Sequence, residues 1–509
     1  MADTLRAAWQ AVLVTLGFRR VDEQQRGTQC AWARDHWHEP EQASRACAGT
    51  ILNRGGISYC ALHFPQRDKE EAFRQALSEK LEAGDYDFRG AWFPDYIVAQ
   101  DLVSPAVERA GGNGRTVFDK AVNFAGAYLC DGANFAKTDF MDNANFSQAE
   151  FSGGADFSEA TFQKRARFSG ARFTRLSSEL SALAQFSRAD FRGKADFSRC
   201  RCPIEAKFTG ASFGVDVDFG ESRFDNRVDF SEVAFAEAVR FVGRQDERLF
   251  FGPQVVFRQT QVVKPEQFFF HSVRLRPAWL VGANNISSIH FASVEWCGWP
   301  MQRNRTLEEE SSKIDEPGTG PPTRLIANVC RELALNYETS RQYTEAGRFY
   351  YASMYAEQQT LPCYRRPLSL RFWYGILSGY SERPLRAILW LIAFFLVFML
   401  LYTAIDLPGT GPDGQCTALL FSKQQHGKQG KGPSSSIGGC MREAGQAAVH
   451  SLGGMVRLAS GLITRPPGTI GPATEAPTAV LQFLLILQGI LGPLLVALFA
   501  LAVRRRFLR

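Results

Sequence analysis

Phenylalanine recurs along residues 118–241 at steps that alternate between five and six positions. The regular positions are Phe118, Phe124, Phe135, Phe140, Phe146, Phe151, Phe157, Phe162, Phe168 and Phe173, then Phe186, Phe191, Phe197, Phe208, Phe213, Phe219, Phe224, Phe230, Phe235 and Phe241. Leu129 and Cys202 fill the two gaps. A helix repeats its faces about every 3.6 residues and a strand every two, so neither explains this period. The spacing predicts a coil with flat faces, tight corners and one inward aromatic ring per face.

One step in the series is longer than the others. Phe173 and Phe186 are 13 residues apart, which we interpret as one 11-residue period plus two residues. The sequence therefore predicts a small bulge or loop at this point of the coil.

A short motif accompanies the phenylalanines. Ala-Asn-Phe at 133–135 and 144–146, and Ala-Asp-Phe at 155–157, 189–191 and 195–197, resemble the A(D/N)(L/F)xx motif of pentapeptide-repeat proteins in a Phe-rich variant. The resemblance implies a right-handed quadrilateral β-helix over residues 116–242. Four motifs per coil give about six coils and, at about 4.8 Å per strand, a rod of about 28 Å. Residues 243–303 are expected to form irregular last coils and a cap that covers the open end.

The charge of the repeat argues against one function of this class. Some pentapeptide-repeat proteins imitate DNA, which requires a strongly acidic surface. Residues 116–242 hold 18 acidic and 16 basic residues, a net charge of 18 − 16 = 2 negative charges. The whole chain has a net charge of +6. Neither DNA mimicry nor nucleic-acid binding is therefore expected.

Two uncharged segments near the C-terminus are long enough to cross a bilayer. They cover residues 387–405 and 479–503, and a helix needs about 20 apolar residues to span the hydrocarbon core. Basic residues flank the spans and are sparse in the loop 406–478 that connects them; the flanking ones are Arg365, Arg366, Arg371, Arg383, Arg386, Arg504, Arg505, Arg506 and Arg509. The sequence thus predicts two transmembrane helices, cytoplasmic N- and C-termini and a basic cytosolic tail at 504–509. In the external loop, Cys416 and Cys440 form either a disulfide or two free thiols.

Residues 304–386 connect the repeat to the first span. Glycine, proline and acidic residues predict a flexible linker at 304–323. Residues 324–386 are expected to form a helical hairpin, 324–337 and 342–358, and a juxtamembrane helix that lies at the headgroups or packs on the hairpin. This region resembles the one that joins repeat and membrane in bacterial membrane-bound pentapeptide-repeat proteins, which implies a bacterial inner-membrane location. The resemblance extends from about residue 25 to the end of the chain.

Some relatives with this layout carry a two-helix channel domain, so we searched the loop for a selectivity filter. Residues 443–463 have an apolar stripe at helical spacing, compatible with a re-entrant helix, and 464–472 read TRPPGTIGP. A potassium filter of the TVGYG type needs a run of backbone carbonyls, whereas Pro472 stands in place of its aromatic residue. The sequence speaks against potassium selectivity and leaves a non-selective oligomeric pore open.

The N-terminal region contains a set of metal-ligand residues. After a helix at 1–20, residues 21–115 are expected to form a small zinc-ribbon-like head and lead-in, with Cys30, Cys47, Cys60 and His63 as zinc ligands. Three thiolates and one imidazole make a closed tetrahedral set, typical of structural zinc. His36 and His38 compete with Cys30 for the fourth position, and buried unligated cysteines are the alternative to a site. A similar element ending in Cys-x-x-His occurs in related pentapeptide-repeat proteins.

Enzyme signatures such as HExxH or a nucleophile elbow are absent from the sequence, which predicts no enzymatic activity. Two functions remain. The first is a membrane-tethered scaffold that presents its β-helix to a cytosolic protein. The alternative is an oligomeric ion channel or pore gated by the repeat. The expected partners are thus the lipid bilayer, a cytosolic protein and, for a pore, further copies of the chain.

Overall fold

The computed structural model describes residues 30–35, 46–54, 56–103, 114–175, 182–244, 251–301, 305–314, 321–404 and 479–507. Two compact units make up the chain, Met1–Asn336 and Tyr337–Arg509. Several predicted features lie outside the described residues: the helix at 1–20, His36, His38, the loop 406–478 with Cys416, Cys440 and the 443–463 segment, and the end of the basic tail.

Four parallel sheets run along the first unit, and the chain visits them in turn. Sheet 1 contains Val122–Asn123, Ala144–Asn145, Ala166–Arg167, Ala195–Asp196, Val217–Asp218, Val239–Val242, Phe268–His271 and His290–Ala292. Sheet 2 contains Trp92–Phe93, Tyr128–Leu129, Glu150–Phe151, Arg172–Phe173, Arg201–Cys202 and Arg223–Phe224. Sheet 3 contains Ile97–Val98, Ala133–Asn134, Ala155–Asp156, Leu183–Gln185, Glu205–Lys207, Val228–Asp229 and Val255–Val256. Sheet 4 contains Thr116–Phe118, Thr138–Phe140, Thr161–Phe162, Asp190–Phe191, Ser212–Phe213, Ala234–Phe235 and Gln261–Val262. Stacked parallel strands of this kind indicate a β-helix solenoid.

The phenylalanines form columns in the core of the solenoid. Phe168 is fully buried, and its ring stacks on Phe146 at 5.0 Å and on Phe197 at 4.8 Å, with interplanar angles of 10° and 3°. These separations match the distance between neighbouring strands, because equivalent residues of successive coils lie directly above one another. Leu129 and Cys202 are buried in the same ladders, so the prediction that they fill inward slots is confirmed.

The structure corrects the interpretation of the long step between Phe173 and Phe186. Equivalent residues of neighbouring coils are usually 22 positions apart, as for Phe140 and Phe162, but Phe162 and Phe191 are 29 apart. The insertion therefore has 29 − 22 = 7 residues, not an 11-residue period plus two. Phe173 and Phe186 occupy consecutive faces, so no inward position is skipped.

The corners of the coil require a left-handed backbone conformation at regular positions. Residues two places after an inward phenylalanine have positive φ; they are Lys137, Gln148, Glu159, Arg188, Arg199, Glu221 and Glu232, with Gly126, Gly170 and Gly210 at equivalent places. Non-glycine residues adopt this conformation at a cost of about 1 kcal/mol or more. Hydrogen bonds between coils compensate for it: the Glu159 amide, for example, donates to the Ser187 carbonyl at 2.9 Å.

Close approach of two coils makes one glycine essential. A Cβ at Gly193 would lie 2.2 Å from the carbonyl oxygen of Lys164, a backbone atom of the preceding coil. We expect Gly193→Ala to lower the free energy of unfolding by about 1–3 kcal/mol, since the backbone must shift. Gly214→Ala is the matched control, because its Cβ would be 3.5 Å from the nearest atom. Denaturant unfolding of both variants checks this; equal stabilities would contradict it.

The solenoid extends beyond residues 116–242 at both ends. Trp92–Phe93 and Ile97–Val98 already pair with the first repeat strands, and His290–Ala292 ends sheet 1. Arg274–Leu275 pairs with Glu295–Trp296 in a short additional ladder. Turns of 3₁₀-helix accompany these regions at Ala99–Leu102, Pro265–Gln267, Pro277–Leu280 and Ile286–Ser288.

The predicted linker contains a short helix, Leu307–Ser311. The Thr306 side chain caps it by accepting a hydrogen bond from the Glu309 amide. Glu310 is 1% exposed, accepts a hydrogen bond from the Ala278 amide at 3.1 Å and lies 3.6 Å from Arg276. Residues 305–314 are thus anchored on the end of the solenoid, because a buried carboxylate needs such partners.

Helices dominate the described residues after 321. They are Pro322–Thr339, Tyr343–Gln359, Leu370–Ser378, Pro384–Ala404 and Ala479–Phe507, with a 3₁₀ turn at Arg366–Leu368. Residues 384–401 and 486–504 lie in helices long and apolar enough to cross a membrane, each with a mean hydropathy of 2.4. The last two helices contact each other where Phe398 packs against Leu484 and Leu487.

Candidate metal centre

A hairpin and a tight turn position two of the predicted ligands. Strands Ile51–Arg54 and Ile57–Cys60 pair in antiparallel fashion, and Gly56 in the connection has φ 78°. The Cys60 carbonyl then accepts hydrogen bonds from the amides of His63 and Phe64, both at 3.0 Å. This tight turn reverses the direction of the chain, so the imidazole of His63 lies next to the thiol of Cys60.

Cys30 and Cys47 reach the same point from other segments. Cys30 immediately precedes the short helix Ala31–Asp35. Cys47 is followed closely by Gly49, where a Cβ would lie 2.6 Å from Cβ of Ala76 in the helix Glu70–Glu82. Only glycine lets the chain pass so close to this helix, and φ at Gly49 is 77°.

The structure brings all four predicted ligands together. Their ligand atoms lie within 4.8 Å of one another. Nδ1 of His63 is 2.9 Å from Sγ of Cys60, 3.6 Å from Sγ of Cys47 and 3.7 Å from Sγ of Cys30. In a tetrahedron with metal–sulfur bonds of about 2.3 Å and a metal–nitrogen bond of about 2.0 Å, such edges measure about 3.5 Å. The cluster has the size and donor set to hold one metal ion.

The second nitrogen of His63 determines which atom faces the cluster. Nε2 is 2.8 Å from the carbonyl oxygen of Arg89, which only accepts hydrogen bonds. Nε2 therefore carries the proton, and Nδ1 presents its lone pair to the thiols in the neutral ring. A hydrogen bond of this kind orients metal-bound histidines in general. Trp32 also fixes the ring, stacking on it at 4.2 Å with an interplanar angle of 6°.

The thiols and the imidazole influence one another's protonation. Burial lowers the pKa of His63, but its hydrogen bonds with Cys30 and Cys60 outweigh burial and raise the pKa to about 9. Hydrogen bonds from the other thiols lower the pKa of Cys30. The cluster thus favours a thiolate beside a protonated imidazole, and a metal ion would replace the proton that they share.

Lys69 supports the metal-ligand turn and was not foreseen from the sequence. Its ammonium group is buried and donates to the carbonyls of Ala61 and Leu62 at 2.8 and 2.9 Å, between the two ligands of the turn. It also lies 4.7 Å from the centre of the Phe73 ring. Burial lowers the pKa of Lys69 to about 7.

We expect Lys69→Met to destabilise the turn, because the buried Ala61 carbonyl would lose its donor, whereas the Leu62 carbonyl keeps the Trp92 amide at 2.8 Å. A loss of about 1–3 kcal/mol follows for the carbonyl that is left unsatisfied. Hydrogen exchange of residues 57–64 should become faster in this variant. Arg74→Met, in the helix that begins directly after Lys69, is the control, since its ion pair with Glu70 is exposed. Unchanged exchange in Lys69→Met would contradict the supporting role.

Three cysteines of the solenoid behave as small apolar core residues. Cys130, Cys200 and Cys202 are at most 2% exposed. Burial raises the pKa of Cys130 and of Cys202 to about 12. These thiols are therefore protonated and unreactive at neutral pH.

Comparison with known protein families identifies the repeat. Residues 135–178 match the family model described as Pentapeptide repeats (9 copies). The chain contains pentapeptide repeats. Comparisons with curated proteins and with solved structures gave no match. The similarity concerns 44 of the 509 residues (178 − 135 + 1) and thus the solenoid, not the metal centre or the C-terminal helices.

Proposed function

We propose that the chain is a membrane-tethered scaffold whose β-helix binds another protein in the cytosol. The observation that carries this proposal is the division of the solenoid into a filled core and a polar surface. Its inward positions hold stacked phenylalanines, whereas the outward residues of sheet 1 include Arg167, Asp196 and Asp218. The rows of outward side chains on the rigid solenoid form the surface that would bind a partner protein.

The C-terminal helices support the tether. In the segments long enough to span a membrane, large apolar side chains face outward; Leu389 is 65% exposed and Ile490 59% exposed. Such surfaces are unfavourable in water and are satisfied by lipid chains. Leu370 and Trp373 of the preceding helix are exposed as well, which suits a position at the headgroups.

We place the protein in a bacterial inner membrane with both termini in the cytosol, and we propose a right-handed quadrilateral β-helix. Fusions of the full chain to alkaline phosphatase test the topology, because this enzyme is active only outside the cytosol. A fusion within 406–478 should be active and a C-terminal fusion inactive. The reverse pattern would contradict the proposed orientation.

Site-specific photo-cross-linking in cells tests the binding function. A photoreactive residue at Asp218 or Arg240, on the outer face of sheet 1, should yield a discrete product with another protein. The control position lies in the loop 406–478, on the other side of the membrane. Absence of specific products from a series of outward positions on all four sheets would overturn the scaffold proposal.

The alternative function is an oligomeric channel. The observation that favours it is Gln488, a polar residue that is fully buried in a helix able to cross the membrane. Buried polar groups in such helices often line a path for ions or hold helices together. The two helices found among the described residues do not enclose a pore, so a channel requires several copies of the chain. Ion flux into liposomes that contain the full chain would favour the channel.

We assign the metal centre to structural zinc and propose no enzymatic activity. Cys30, Cys47, Cys60 and His63 would occupy all four positions of a tetrahedral ion and leave none for a substrate. Bound zinc would cross-link the chain segments that carry its four ligands, in a part of the chain with a small hydrophobic core. The site would therefore stabilise the head and serve no reaction.

A further inference from the structure

A groove on the flank of the solenoid is surrounded by arginines. The cavity has a volume of about 830 Å³. Five guanidinium groups line it, from Arg89, Arg167, Arg172, Arg199 and Arg201. We call this surface the arginine groove. Trp32, whose indole stacks on His63 of the metal centre, lines it too.

The groove has an excess of positive charge. Glu150 is the one acidic side chain among the lining residues, but Arg89 also pairs with Asp87 at 2.8 Å and Arg199 with Glu221 at 3.3 Å. The five arginines and these three acidic partners together carry 5 − 3 = 2 positive charges. Glu150 lies 3.8 Å from Arg172, which is 57% exposed, so this ion pair is weak. Among the described residues, Arg167 and Arg201 form no ion pair. A concave surface with one sign of charge concentrates the potential and attracts counter-ions.

The register of the sheets fixes the arginines close together. Arg172 and Arg201 are direct partners on neighbouring strands of sheet 2, and Arg167 stands on the adjacent face in sheet 1. Like charges opposite each other on neighbouring strands repel. Arg199 is held at a corner by its positive φ of 57°, with its amide bonded to the Gly220 carbonyl at 2.7 Å. The backbone thus keeps the cations together despite their repulsion.

We propose that the arginine groove binds a small polyphosphate, either as such or as part of a nucleotide. Guanidinium groups match phosphate oxygens in pairs of parallel hydrogen bonds, which favours phosphate ligands at arginine clusters. The negatively charged phosphates complement the positive charge of Arg167 and Arg201, which have no acidic partner among the described residues. The volume lies in the usual range for small-molecule sites, and Trp32 adds an aromatic surface that suits a planar ring.

Calorimetric titration of the full chain in neutral detergent tests the proposal, with inorganic tripolyphosphate and ATP as separate probes. We expect one tripolyphosphate per chain and an affinity that decreases with ionic strength. The variant Arg172→Gln/Arg201→Gln should bind at least about tenfold more weakly, because two charge-assisted contacts are lost. Equal binding of both probes would indicate recognition of the phosphates alone. Binding of ATP only would indicate that the ring is recognised as well, and both results support the site.

The matched control is Arg165→Gln/Arg192→Gln. It removes the same charge from two exposed arginines of the solenoid that do not line the groove. We expect it to retain the wild-type affinity. The proposal would be overturned if neither probe bound at low ionic strength, or if both double variants lost affinity equally. Circular dichroism of each variant confirms that the fold is intact before the comparison.

Discussion

Cys60→Ser is expected to abolish metal binding and unfold the head of the protein. The serine hydroxyl replaces a thiolate whose Sγ lies 2.9 Å from Nδ1 of His63. Structural zinc contributes about 10–16 kcal/mol of apparent binding free energy to small domains at neutral pH. Cys30 and Cys47 come from separate segments of the chain, which the metal would cross-link to the turn of Cys60 and His63. Zinc per chain, measured by mass spectrometry, should decrease from about one to near zero.

Limited proteolysis of the same variant locates the effect. Cleavage should become fast within residues 46–64 and remain slow within the stacked coils, whose core does not include the metal centre. Cys363→Ser is the control, because Cys363 is exposed and distant in sequence from the cluster. Full zinc occupancy and unchanged proteolysis in Cys60→Ser would show that the cysteines are only buried neighbours.

Phe168→Ala should have the second large effect, a decrease of about 3–5 kcal/mol in the free energy of unfolding of the central coils. The ring is fully buried between two stacked neighbours and touches the edges of Phe157 and Phe186, at 5.2 and 5.4 Å. Its removal leaves a cavity that the rigid ladders do not close. Hydrogen exchange of residues 144–198 measures the change locally.

Phe269→Ala is the matched control for this prediction. Phe269 belongs to sheet 1 but points outward, is 37% exposed and stacks on His290 at 5.1 Å. The same chemical change should therefore cost far less there. Similar losses at both positions would mean that the aromatic columns do not dominate the stability of the solenoid.

The regular part of the fold could be predicted from the sequence because each inward position requires the same kind of buried apolar side chain. A buried ring beside a small residue recurs in every motif, and even Leu129 and Cys202 were recognised by their place in the series. The first coil was missed because Phe93 and Ile97 occupy inward positions without the Ala-Asp-Phe motif. The length of the insertion after Phe173 was misjudged, since a periodic pattern gives no information on residues that do not follow the period.

The metal ligands were also predictable, whereas their surroundings were not. Thiols and imidazoles at suitable spacing indicate a metal site in the sequence. Trp32 and Lys69 belong to no such motif, and only tertiary packing brings them to the metal centre. The arginine groove had a visible signal in principle: Arg172 and Arg201 each stand directly before an inward residue of sheet 2. Recognising it requires the coil register, because the insertion makes the spacing unequal.

The mass of the full chain in detergent, corrected for bound detergent, tests the scaffold account most directly. The described part of each chain contributes two helices that could cross a membrane, and a pore needs more helices than one or two such pairs supply. The account predicts a particle of one or two chains that causes no ion flux in liposomes. A closed ring of four or more chains that conducts ions would contradict it and identify the β-helix as part of a channel.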